Sequence, residues 1–303
     1  DSVTIHPGKN IIKDLLISTD FQHKHKSYVY RLWCLSKTTP SAENTLTFDK
    51  ITVFQTNEIE GYSTAKWIWN QWDHMVQDRF PDKLNYVNSV YSQNNNCKLD
   101  FNYPDDEIDF STGQPDVKDD IFHANALDWN EEQNEVMISV RGYHELWVIN
   151  KNTNNIVYRW GNTKTYNDKG MRVLDGQHNT HWITVGKDKG KIMLFDNGQL
   201  ADDQSIIRVI EPEYNNDGTY KYDSKGVFLP YDSKNIKIQK NLLSDFISGC
   251  QRLPNEHTLA CCGPVGTIIE FDENYNVVWR YTSPYEFKNM NMIEESQSGT
   301  LGY

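Results

Sequence analysis

Three short stretches of this sequence carry histidines beside turn residues rather than inside uniformly apolar runs: WDHMVQD with His74, DIFHANALDW with His123, and DGQHNTHWI with His178 and His181. An imidazole titrates near neutrality and can act as nucleophile, proton shuttle or metal ligand, although a lone histidine is often just a buried ring bonded to backbone. Three clusters, each leading into or out of a pair of strand-type runs, are harder to explain as packing. Arg141, in ISVRGYHELW, adds a cation at the end of an apolar run, where a core strand would avoid one. A metal centre fits poorly. His178 and His181 lie three apart, but there is no HExxH, no cysteine at a ligand spacing, and Arg141 would repel a metal ion sharing the site. The stretches DENYN and EYNNDG do not match an EF-hand loop and are expected to be turns. No GxSxG elbow, P-loop or GxGxxG is present, so elbow-type hydrolysis and nucleotide binding have no support. No cofactor is implied.

The elements that must position these groups are short strands. In NEVMISVRGYHELWVINKNTNNIVYRWGN, Asn134 to Asn162, three β-type runs are divided by Arg141-Gly142 and by the polar stretch Lys151 to Asn155. A second copy, HTLACCGPVGTIIEFDENYNVVWRYTS, runs from His257 to Ser283 and closes on VVWRY where the first closes on VYRW. Weaker copies surround KIMLFDNG followed by SIIRVIEP, and LTFDKITVF followed by AKWIWNQW. Repeated units of three or four antiparallel strands without helices predict an all-β chain of β-propeller type, in which each small sheet buries its faces only against neighbouring blades. At about 40 to 50 residues per blade, one domain over 1–303 would hold roughly six. A pair of β-sandwiches is the alternative. Two long insertions, Asp73 to Ile121 and Glu211 to Leu243, interrupt the spacing, and loops of such length tend to be functional.

Composition narrows the partners. With 42 Asp and Glu against 30 Lys and Arg, the net charge of −12 disfavours broad nucleic-acid binding, so an anionic substrate needs a local basic pocket. No run approaches the roughly 20 apolar residues of a membrane span, and the first ten residues hold no signal-peptide core. The absence of an initiator Met suggests a processed form or part of a longer protein. Five cysteines (Cys34, Cys97, Cys250, Cys261 and Cys262) form no CxxC and no complete disulfide framework, leaving one or two bridges open, including Cys261 with Cys262 or either with Cys250. No N-x-Ser/Thr sequon occurs.

Read in order, WIWNQWDHMVQD, NYVNSVY, DIFHANALD, ISVRGYHELWVIN, RWGN, GQHNTHWI, LFDNG and SGCQRLPNEHTLACCGP make the chain resemble the PAPS-independent aryl sulfotransferases over about Trp67 to Tyr285. Residues 1–60 match loosely, Glu256 and His257 stand where the family pattern has Gly and Asn, and the last blade is expected to be incomplete at Tyr303. The resemblance implies a six-bladed propeller whose funnel gathers residues from different blades. It also implies transfer of a sulfuryl group from a phenolic sulfate donor to a phenolic acceptor, in an exported, periplasmic or extracellular protein. A homodimer is compatible with it.

Carried over by position, His178 is implied as the nucleophile, with His74, His123 and Arg141 binding the sulfuryl oxygens. A neutral imidazole is needed for attack, and the Arg141 guanidinium would oppose its protonation. The implied scheme is ping-pong through a sulfohistidine, with His74 or His123 shuttling the phenol proton. Asn125 is expected to orient a neighbour through its amide. Trp72, Trp129, Trp182 and Tyr143 are candidates for stacking on the aryl ring, with core or inter-blade packing as the alternative, and His144 and His181 are expected to support the site. A binding or structural propeller without activity, and a sulfatase in which water replaces the phenol, are the competing readings.

Overall fold

The computed structural model describes residues 12–18, 22–23, 26–38, 45–57 and 62–284, apart from 83, 92–96, 101–121, 168, 199–203 and 238–243. The described residues form sheets joined without α-helices. The first sheet contains β1 (Ile12–Ser18), β2 (Gln22–His23), β3 (Lys26–Thr38), β4 (Thr45–Asn57) and β5 (Tyr62–Asn70), ordered β1-β3-β4-β5 with β2 paired to β3. A short parallel pair, β6 (Met75–Val76) and β7 (Leu99–Asp100), lies in the insertion that follows. Three four-stranded antiparallel meanders come next. They are β8 (Ala124–Asn130), β9 (Glu135–Val140), β10 (Glu145–Asn150) and β11 (Ile156–Trp160); β12 (His178–Trp182), β13 (Ile192–Asp196), β14 (Ile206–Ile210) and β15 (Lys234–Lys237); and β16 (Gly249–Arg252), β17 (Thr258–Cys262), β18 (Thr267–Phe271) and β19 (Val277–Thr282).

The strand boundaries follow the turn residues. Asn134 and Asn154, which close the two hairpins of the second sheet, have φ of 54° and 60°, a left-handed conformation that asparagine tolerates. In DENYN the Asp272 carboxylate accepts from the backbone N–H groups of Asn274 and Asn276, so this acidic stretch is a turn, as expected.

The sheets stack in chain order, with β1, β8, β12 and β16 lying side by side as the innermost strands. Alternate side chains of one strand serve two different cores because successive residues point to opposite faces. Val136, Ile138 and Val140 pack toward Ile51 and Trp69, whereas Met137 joins Ile192, Leu194 and Ile210. Likewise Met193 and Phe195 face Ala260, Cys262 and Ile269 of the fourth sheet. Polar side chains staple the inner strands together: Asn125 donates to the Gln177 carbonyl at 2.7 Å, and Trp182 N–H to Asp128 at 2.7 Å. Asn179 accepts from Cys250 N–H at 2.9 Å. This is the blade arrangement of a β-propeller, and it rules out two sandwiches, because each sheet packs on the next. Four sheets of this kind lie within the described residues. A six-blade count and ring closure lie outside them.

The described residues of the Glu211 to Leu243 insertion form a small bridged segment, Tyr214 opposite Tyr220 and Tyr222 opposite Phe228, over the outer strand β11. There Tyr220, Val227 and Phe228 pack on Tyr158 and Trp160, and Trp160 Nε1 donates to the Pro230 carbonyl. Tyr220, Val227 and Phe228 thus cover β11, and Lys234–Lys237 form β15. The open disulfide question closes for four residues: Cys97, Cys250, Cys261 and Cys262 are free thiols. Strand alternation turns Cys261 outward while Cys262 is buried. The Cys34 side chain lies outside the described residues.

Candidate active site

His178 opens β12 and is buried. Its Nδ1 lies 2.9 Å from the Gly176 carbonyl and 2.8 Å from Asn197 Oδ1. The Asn197 amide cannot be the other way round, because its Nδ2 donates to the Ser244 carbonyl at 2.6 Å. Two acceptors at Nδ1 place the proton there and leave a lone pair on Nε2. Burial holds the His178 pKa down at about 4; the bonds to Asn197 and Gly176 oppose this, while the charges of Arg141 and His123 add to it. The ring is therefore neutral near pH 7. The expected neutrality stands, but dehydration of the ring is its main cause and Arg141 a lesser one.

The DGQH segment that delivers His178 is held at every step by other strands. Asp175 N–H donates to Asp196 at 2.9 Å, and Gly176 N–H to His144 Nδ1 at 3.3 Å. The Gln177 side-chain amide donates to the Val140 and Glu145 backbone carbonyls at 3.1 and 3.0 Å, while the Gln177 backbone carbonyl takes the Asn125 bond. Asn125 thus orients a neighbour through its amide, as the sequence suggested. His144, an acceptor here, has its pKa lowered to about 3 by burial and by the nearby Arg172 and Arg141. It supports the Gly176 peptide whose carbonyl holds His178. His181 instead bonds the Asn179 carbonyl from β12.

His123 and Arg141 arrive together, because the connection before β8 and the turn after β9 are laced by backbone bonds. Arg141 N–H donates to the His123 carbonyl at 3.1 Å and Gly142 N–H to the Phe122 carbonyl at 2.9 Å. His123 is exposed, with φ of 47°. Both charges reach His178. His74 ends a 3-10 turn on the first sheet, buried and stacked on Trp69 at 5.0 Å. Burial and the Lys98 charge lower its pKa to about 4 against the opposing effect of Asp73. The chain after it pairs β6 with β7, and Asp100 of β7 accepts from the Tyr143 hydroxyl at 2.6 Å.

Tyr143 and Trp182 do not present free rings. Tyr143 is fully buried, stacked on Phe122 and edge-on to Trp147, and Trp182 packs among Trp160, Tyr166 and Leu194. Their rings are occupied by the core. The residues that the sequence reading passed over are Asn197, Gln177 and Ser244. Asn197 lies in the LFDNG motif, where an Asn before Gly198 (φ 73°) looks like ordinary turn chemistry. Among the described residues no cluster of three His, Cys, Asp or Glu side chains could hold a metal ion.

Gly161 of the RWGN motif sets the wall behind His144. Its φ is 118°, and an added Cβ would meet the His144 carbonyl oxygen and Leu174 Cδ1 at 2.5 Å. Gly161→Ala is expected to destabilise the protein by about 3 kcal/mol, combining left-handed strain with a backbone clash. Urea unfolding would measure it, and an unchanged midpoint would show that the wall yields.

A family model for arylsulfotransferase (ASST) matches residues 77–284. No curated protein matches the chain. Among solved structures, virginiamycin B lyase from Staphylococcus aureus is 10% identical with a TM-score of 0.34, the match covering 85% of this chain and 61% of that one. The Cps50 (Swd1) β-propeller domain of Myceliophteria thermophila is 8% identical with a TM-score of 0.38, covering 80% and 58%. The chain thus spans about three-fifths of the length of these two structures. Among the described residues no helix is long and apolar enough to cross a membrane.

Proposed function

The chain belongs to the arylsulfotransferase family, and from that premise we propose that it moves a sulfuryl group from an aryl sulfate to a phenolic acceptor, without a nucleotide sulfate donor, through His178. The single observation that supports this most is the capped Nδ1 of His178: a buried neutral ring, its proton held by Gly176 and Asn197, with Nε2 left as the nucleophile.

In the first half-reaction the Nε2–S bond forms as the aryl O–S bond breaks. The ring gains positive charge as it is sulfated, and the two oxygens at Nδ1 stabilise that charge where it develops. Arg141 with His123 and His74 would bind the sulfuryl oxygens, as positioning and charge stabilisation require in the related phosphoryl transfers. The departing phenolate, whose conjugate acid has a pKa near 10, takes its proton from His123, because burial leaves His74 a neutral ring with no proton to give. A second phenol returns the proton to the same base, attacks sulfur and regenerates the neutral imidazole. The scheme is ping-pong. It is tested by supplying an aryl sulfate and a phenol without PAPS, then measuring the intact mass of donor-treated protein. A sulfuryl adduct that disappears on adding phenol supports the scheme; turnover that never produces one rejects the covalent route.

The rate of the first half-reaction should hold from pH 7 down to pH 5 and fall as pH approaches 4, where the buried ring takes a second proton and loses its lone pair. Asn197→Asp should move that fall to higher pH. The introduced carboxylate still accepts from Nδ1 but favours the imidazolium, so its folded pKa rises. Single-turnover phenol release measured against pH checks this, and an unmoved acid limb would remove Asn197 from the mechanism.

A further inference from the structure

We propose that Ile247 is a specificity-determining residue of this site, an apolar contact for the aryl ring of donor and acceptor; this rests on the sulfuryl-transfer reading of His178. Ile247 has φ of 38°, the left-handed region. The other described non-glycine residues there are Asn, His, Glu and Tyr, so Ile247 is the β-branched exception. For a β-branched side chain this conformation is a genuine outlier, and such strain persists only where the surroundings impose it. The side chain is nevertheless 38% exposed, so the strain does not serve to bury it in the core.

Its place in the fold explains where that exposed side chain stands. The inner strands of the second and third sheets are each entered through a left-handed residue, His123 before β8 and Gly176 before β12. Ile247 is the corresponding residue before β16. The backbone on either side is tied to the support of His178. The Ser244 carbonyl takes the Asn197 amide, and Ser244 N–H donates to Ser205 Oγ at 2.8 Å. The Ser244 and Ser248 hydroxyls meet at 2.9 Å, and Cys250 N–H bonds Asn179, the residue after His178. These ties keep the segment from relaxing and put residue 247 at the end of the sheets where His178 and Asn197 meet.

The chemistry of an aryl sulfate asks for two surfaces. Its anionic end is matched by Arg141 and His123, and its ring needs an apolar one. Tyr143 and Trp182 cannot supply it, since their rings are packed in the core. Ile247 offers an exposed aliphatic face on the segment that enters β16 and is tied to the support of His178. An aromatic ring leaving water against such a face gains in proportion to the area covered, so the contact should favour larger rings.

Ile247→Gly and Ile247→Asn separate this role from a structural one, because both residues accept the left-handed conformation. The proposal expects melting temperatures no lower than wild type together with a rise in KM, kcat being little changed. The loss in kcat/KM should be about tenfold for 2-naphthyl sulfate and smaller for phenyl sulfate. Equal kcat/KM in variant and wild type, or equal losses for both esters, would overturn it. Should the wild-type protein transfer no sulfuryl group from either ester, the sulfotransferase reading itself fails; that outcome is distinct from a working enzyme indifferent to residue 247.

Discussion

Replacing His178 with Asn is expected to abolish sulfuryl transfer, with turnover falling by roughly six orders of magnitude, the scale on which covalent mechanisms collapse when the nucleophile is removed. The asparagine amide can still meet Asn197 and Gly176, so the fold should hold while Nε2 is gone. Intact mass after treatment with aryl sulfate should show no adduct on the variant. His181→Asn is the control, because that ring bonds the Asn179 carbonyl and makes no bond to Asn197 or Gly176. A His178→Asn protein that transfers at the wild-type rate would move the nucleophile elsewhere. Loss in both variants with intact melting curves would point to β12 as a whole rather than to one ring.

The largest stability effect is expected at Glu145. Its side chain and that of Arg159 are both fully buried and joined at 2.8 Å through Nε and through Nη2. Trp147 Nε1 donates to the same carboxylate at 2.7 Å, Thr165 bonds it as well, and Arg159 Nη1 reaches the Lys98 carbonyl. Glu145→Ala leaves a guanidinium in the core without its counter-ion, which should cost about 3 to 5 kcal/mol. The double variant Glu145→Leu, Arg159→Met should cost less than the single one, since desolvating both charges is itself expensive. Urea unfolding of the three proteins tests this ordering.

Parts of this architecture are legible in the sequence because they are local. The hairpins of Asn134 to Asn162 and His257 to Ser283 appear where alternating runs meet Gly and Asn turns, and β9, β10, β11, β17, β18 and β19 lie within those limits. The two copies end alike but differ in fate: Tyr158 and Trp160 of β11 are buried under the Glu211 to Leu243 insertion, whereas Trp279 and Tyr281 of β19 are exposed. Nothing in VYRW or VVWRY distinguishes them, since burial is decided by what packs alongside.

The same division runs through the site. By itself the sequence determined an all-β chain of repeated short meanders, and the order of its motifs carried the family and singled out His178, His123, His74 and Arg141. Residue type and a period of two are properties of each stretch and survive being read alone. The tertiary structure decided that Tyr143 and Trp182 are core, that Asn197 meets the ring from 19 residues away, and that Ser244 fixes that amide from a further 47. It also decided that dehydration, more than Arg141, keeps His178 neutral. Those outcomes depend on which blades stack and which strand ends meet, and neither is encoded in any single segment.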